Sequence, residues 1–159
     1  MRILSYCLTA FLVFCAPNLA LADVTAFIGA NTSPSSRQVK GAAFGAGLLV
    51  IGFEFEYAAT SEDLVAAAPS LKTGMGSVLL QTPIAFMGVQ PYFITGGGMY
   101  REELGLRSDT GLAVGTGGGA KISLFGPLRL RVDYRLIKLG SGALISPTHR
   151  IYAGINLKF

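Results

Sequence analysis

Nine carboxylates and one histidine are the groups from which this 159-residue chain would have to build acid–base chemistry. His149 stands alone in Pro147-Thr-His-Arg150, and no serine follows it at short spacing on the same strand face to complete a nucleophile–base pair. Glu102 and Glu103 are adjacent, so on a strand they point opposite ways and read as a solvated rim. Gly96-Gly-Gly98 and Gly117-Gly-Gly119 open no helix, which excludes phosphate loops and leaves sites where strands bend or side chains crowd. Both cysteines, Cys7 and Cys15, lie in an apolar N-terminal run, and no group of ligands has metal-binding spacing. The sequence therefore predicts no catalytic residue, metal or cofactor, and is not read as an enzyme.

The charges that do form a pattern alternate with apolar residues. Glu54 and Glu56 sit between Phe53, Phe55 and Tyr57, while Arg129, Arg131, Asp133 and Arg135 oppose Leu128, Leu130, Val132, Tyr134 and Leu136. Lys121 lies with Gly115, Gly117 and Gly119 opposite Leu112, Val114, Thr116, Ala120 and Ile122. A period of two is the signature of a strand, with the two sets on opposite faces. The last segment behaves likewise: Ile151, Ala153, Ile155, Leu157 and Phe159 on one face, Arg150, Tyr152, Gly154, Asn156 and Lys158 on the other.

The N-terminus is of a different kind. Arg2, an apolar run from Ile3 to Ala16, and Ala20-Leu-Ala22 make a secretory signal peptide, residues 1–22, with cleavage expected after Ala22. Residues 23–159 then form one domain of 137 residues, without cysteine, carrying twelve Lys/Arg against nine Asp/Glu. A surplus of three positive charges without a dense basic run argues against nucleic acid as a partner. About 15% of these residues are charged, against the roughly 25% usual for soluble domains. Too little polar surface, and no later run long enough for a transmembrane helix, leave a closed barrel as the structure that could live in lipid.

Eight strands are read along the chain: from Asp23; two across residues 41–60 with a turn near Leu49-Val50; Met75–Thr82; Pro91–Tyr100; Leu112–Leu124; Leu128–Leu136; and the final segment. Short turns near 49, 85 and 126 alternate with longer loops over 31–39, 60–74, 101–109 and 138–148, and the loop at 60–74 is expected to hold one or two helical turns. Membrane barrels connect strands in this way, with short periplasmic turns and longer outer loops. The fold class predicted is all-β, an eight-stranded antiparallel up-and-down transmembrane β-barrel after a cleaved signal peptide.

A soluble barrel shows the same alternation with the faces reversed. Against it, one face of each strand is apolar while the other is mostly Gly, Ala and a few charges, a poor solvated exterior. Glu54 and Glu56 lie four and six residues above the turn near Val50; Arg129 and Arg131 lie three and five above Gly126, heights at which they could pair across a narrow lumen. The expected lumen charge network is Glu54, Glu56, Lys121, Arg129, Arg131, Asp133 and Arg135, to which Arg150 and Lys158 add cationic candidates.

Gly52-Phe-Glu-Phe-Glu-Tyr57, Gln90-Pro-Tyr-Phe-Ile-Thr-Gly-Gly-Gly98, Gly117-Gly-Gly-Ala-Lys121, Leu130-Arg-Val-Asp-Tyr-Arg135 and Gly154-Ile-Asn-Leu-Lys-Phe159 together resemble the small outer-membrane β-barrel domain family related to outer membrane protein A. Gly154, Leu157 and Phe159 resemble the C-terminal signal that the barrel-assembly machinery reads, with Tyr152 departing from the polar residue usual there. The resemblance implies the cell outer membrane, contact with its lipid, and handling by that machinery during insertion, but no single activity. The role expected is structural or surface-interactive, with the lumen plugged by charged side chains and the long loops open to a partner. A soluble periplasmic ligand-binding barrel and a narrow anion-preferring pore are the alternatives. A lipid A deacylase would need the Ser–His–Glu arrangement that is missing around His149.

Overall fold

The computed structural model describes residues 20–159. Residues 1–19, most of the expected signal peptide, lie outside the described residues, and the first strand begins at Ala20, just before the expected cleavage site. The eight strands are β1 (Ala20–Asn31), β2 (Arg37–Leu48), β3 (Ile51–Thr60), β4 (Ser70–Gln81), β5 (Val89–Leu104), β6 (Arg107–Phe125), β7 (Leu128–Leu139) and β8 (Thr148–Lys158). Each pairs antiparallel with its sequence neighbour, and β8 pairs with β1 to close a barrel. No helix occurs among the described residues. The helical turns expected in 60–74 are replaced by a tight turn closed by the Asp63–Ala68 bridge, with the Asp63 carboxylate accepting from the Val65 and Ala66 amides. An aspartate that satisfies two turn amides competes with helix at this position.

One end of the barrel, the turn end, carries the connections Leu49–Val50, 82–88 and Gly126–Pro127; the other, the loop end, carries 32–36, 61–69, Gly105–Leu106 and 140–147. The loop expected over 101–109 is instead the tip of a ribbon: β5 and β6 stay paired from Arg101–Thr110 out to Leu104–Arg107 and turn at Gly105, whose φ of 56° a side chain would oppose. Leu49 adopts φ 54° without being glycine, which is why no turn signature marks that hairpin.

The register fixes the strand tilt. From Asp23 it leads through Gly45, Glu54, Ser77, Gly96, Gly115 and Ile137 to Thr148. Since Arg150 sits opposite Asn31, Thr148 falls opposite position 33, a stagger of ten residues around the barrel. With strands about 4.8 Å apart and a rise of about 3.3 Å per residue, that stagger means a tilt of roughly 40°.

Burial alternates along the strands, most cleanly on β3 and β8, and it does so inside out. Phe53 is 64% exposed and Phe55 60%, whereas Glu54 is 4% and Arg131 0% exposed. Val24, Phe44, Val78, Leu80, Phe93, Leu112, Val114, Val132, Ile155 and Leu157 are likewise exposed. Large apolar side chains outside and ionic groups inside are what a barrel in hydrocarbon requires, and the reverse of a soluble one.

Candidate functional site

The middle of the lumen is an ionic layer. β3 contributes Glu54 and Glu56, β7 contributes Arg131, Asp133 and Arg135, and β8 contributes Arg150, all on inward positions of the pleat. Arg131 holds Glu54 through both Nη atoms, with Nη2 to Oε1 at 3.1 Å, and reaches Asp133 at 3.1 Å. Arg135 donates to Glu54 at 2.9 Å, to Asp133 at 3.0 Å, and lies 3.1 Å from Glu56. Arg150 closes the layer on Glu56 at 3.0 Å and donates to Asn31 and Thr73. Three guanidiniums thus face three carboxylates, and none is left alone. An unpartnered ion in such a place would cost several kcal/mol.

Tyrosines fill the angles between the ions. The Tyr92 hydroxyl donates to Asp133 and accepts from Arg131 Nε at 2.7 Å, and the Arg131 guanidinium lies 4.9 Å from the Tyr92 ring centre. Tyr152 donates to Glu56 at 3.2 Å, accepts from Arg135 at 3.0 Å, and stacks on Phe27 with ring centres 4.0 Å apart. Glycines make the room. A Cβ at Gly115 would fall 2.8 Å from Met75 Cε, and one at Gly119 2.5 Å from the Tyr92 hydroxyl, though at Gly119 and Gly117 the nearest obstacle is backbone, the Val132 carbonyl oxygen at 2.2 Å and the Tyr134 carbonyl oxygen at 2.1 Å.

Toward the turn end, Lys121 pairs with Asp23 at 2.6 Å. Below them a cavity of about 420 Å³ opens between the turns, with Gln81, Gln90, Ser123, Arg129 and Lys158 on its walls. Toward the loop end the lumen turns apolar: Leu71, Met75, Tyr100, Ala113, Ile137 and Leu139 form one cluster. Above it Arg37 donates to the carbonyls of Ser33, Ser61 and Pro69, tying two loops together, and Glu102 accepts from the Leu144 amide at 2.8 Å.

Of the residues named from sequence, Glu54, Glu56, Arg131, Asp133 and Arg135 come together directly, and Lys121 sits one layer below. Arg129 stands apart, donating to Gln90 at 3.0 Å near the turn end. Counting up from each turn ignores the stagger. The register carries Glu54 across to Ile137, and at a tilt of about 40° the point level with Glu54 on β7 lies lower, among Arg131, Asp133 and Arg135. The sequence alone does not place Asp23, Tyr92 and Tyr152 in the network; Asp23 precedes any clear alternation, whereas Tyr152 already shares its face with Arg150. With Asp23 beside Lys121, the cationic excess expected in the lumen shrinks to Arg129 and Lys158 at the turn-end mouth. Gly154 faces inward where a Cβ would meet Phe27 Cβ at 2.7 Å, and Leu157 and Phe159 face outward. His149 shares a 2.6 Å hydrogen bond with the Tyr134 hydroxyl on the outer face. No group of three or more His, Cys, Asp or Glu suited to a metal occurs among the described residues.

The architecture defines the class: an eight-stranded antiparallel barrel of the outer-membrane type. The sequence matches no family model and no curated protein. Among solved structures the chain is similar to the N-terminal β-barrel domain of Pseudomonas aeruginosa OprF, with a TM-score of 0.69 at 10% identity, covering 87% of this chain and 97% of that one. It is similar to Neisserial surface protein A, with a TM-score of 0.66 at 17% identity over 88% and 96% of the two chains. The outer-membrane enzyme PagL also shares the fold, with a TM-score of 0.55 at 14% identity over 85% and 98%.

Proposed function

We propose that this chain, after loss of residues 1–22, is an integral protein of the bacterial outer membrane whose lumen is a structural plug, and that its contacts with other molecules are made from the outside and from the loop end. The observation that carries this reading is the paired Glu54–Arg131–Asp133–Arg135–Glu56–Arg150 layer, which ties β3 to β7 and β8 across the lumen and leaves its charges balanced. A conduit needs binding groups weak enough to release a permeating ion; guanidiniums and carboxylates locked on each other offer none. Gly154, Leu157 and Phe159 act as the assembly signal on the last strand. The barrel is a scaffold, not a catalyst, for His149 has Tyr134 as its hydrogen-bonded partner and, among the described residues, no serine or carboxylate.

Three measurements test it together. The protein should remain with outer-membrane vesicles and shift its gel migration on boiling. In planar bilayers it should be silent. Release in a detergent-free periplasmic wash would replace the reading with a soluble carrier, and steady unitary conductance would replace the plug with a pore.

A further inference from the structure

The lipid-facing surface is not uniform. Along the strands, the outward-facing Lys and Arg are Lys40, Lys72, Arg101 and Lys138, and all four lie toward the loop end. Lys72 and Arg101 are direct cross-strand partners on β4 and β5. Arg101 spends its Nε on an exposed pair with Glu103 at 2.7 Å, and its Nη groups have no protein partner among the described residues.

Four residues below each of these cations, on the same two strands, stand Gly76 and Gly97, again direct partners. A Cβ at Gly76 would meet nothing nearer than 4.0 Å, and one at Gly97 nothing nearer than 3.4 Å. The contrast with the inward Gly96 and Gly98 is sharp, because a Cβ there would lie 2.2 and 2.0 Å from carbonyl oxygens of β4. Crowding within the barrel accounts for the inward pair but not for the outward one. The missing side chain at Gly76 opens onto a groove of about 450 Å³ on the lipid face, walled by Phe44, Phe53, Phe55, Val78 and Thr95.

We propose that the β3–β5 face is a binding site for one phosphate-bearing glycolipid of the outer leaflet, its headgroup phosphate held by Lys72 and Arg101 and an acyl chain lying in the groove at Gly76. Charge complementarity selects this occupant. Planar guanidinium and ammonium groups side by side suit a phosphate, and the roughly 10 Å of descent from the cations to the glycines along tilted strands suits an extended acyl chain. A second copy of the chain is disfavoured, since a two-fold pairing on this face would set Lys72 and Arg101 against their own counterparts.

The inference rests on the membrane orientation proposed above, so the experiment separates the two. The folded protein is inserted into nanodiscs, insertion is verified by heat-modifiable migration, and native mass spectrometry compares retention of bis-phosphorylated lipid A with its dephosphorylated counterpart. The wild type should prefer the phosphorylated lipid by roughly 30-fold, the effect of two interfacial cations. Lys72→Ala with Arg101→Ala should abolish the preference. Gly76→Phe should weaken retention of both lipids, and Lys138→Ala should change neither. Insertion without discrimination, discrimination that survives the double substitution, or a dimer in place of the lipid adduct would overturn the site while leaving the barrel assignment intact. Failure to insert would overturn the membrane reading itself.

Discussion

The lumen closes in two chemically opposite ways. Its middle is held by ions, with Arg131, Arg135 and Arg150 each touching at least one carboxylate. Its loop-end half is held by Leu71, Met75, Tyr100, Ile137 and Leu139, packed as in any apolar core. The two differ in how they fail. An apolar cluster loses contacts in proportion to what is removed, whereas an ionic layer stripped of one member leaves its partners charged and buried. The ionic half should therefore be the brittle one and also the half that fixes which strands face each other.

That difference can be broken from both sides by measuring urea midpoints for folding into lipid vesicles. Arg131→Ala leaves Glu54 and Asp133 short of a partner and should cost about 3–5 kcal/mol. On the outer face, Phe53→Arg puts a charge into hydrocarbon beside the level of Glu54 in the ionic layer and should cost about 2–4 kcal/mol. In the apolar half, Ile137→Val removes one methyl group and should cost about 1 kcal/mol. Glu103→Ala deletes an exposed partner of Arg101 and should stay within about 0.5 kcal/mol. A reversal, with Ile137→Val more harmful than Arg131→Ala, would mean that the apolar cluster alone holds the barrel.

The strands were legible because alternation is a local property: β3, β7 and β8 show their two faces in Phe53/Glu54, Leu130/Arg131 and Ile155/Asn156. What crosses the lumen was not. Arg131 meets Glu54 from 77 positions away, and the choice of Arg131 over Arg129 depends on a ten-residue stagger that no single strand encodes. The ribbon at 101–109 reads as a loop in sequence because charges there mimic one; exposure at the loop-end rim of the barrel permits Arg101, Glu103 and Arg107 on paired strands. Glycines were ambiguous for a similar reason. Gly117 and Gly76 look alike in sequence, yet one is forced by a carbonyl oxygen 2.1 Å from where its Cβ would be, and the other opens outward.

Residues 23–159 contain no cysteine, so single cysteines can carry a nitroxide without a background. Spin labels at positions 53, 114, 153, 155 and 157 of the barrel folded into vesicles measure the exterior directly, through collision with dissolved oxygen and with a water-soluble nickel chelate. Oxygen should dominate at all five, because Phe53, Val114, Ala153, Ile155 and Leu157 face acyl chains. Dominance of the nickel reagent at those sites would put them in water and contradict the inside-out arrangement.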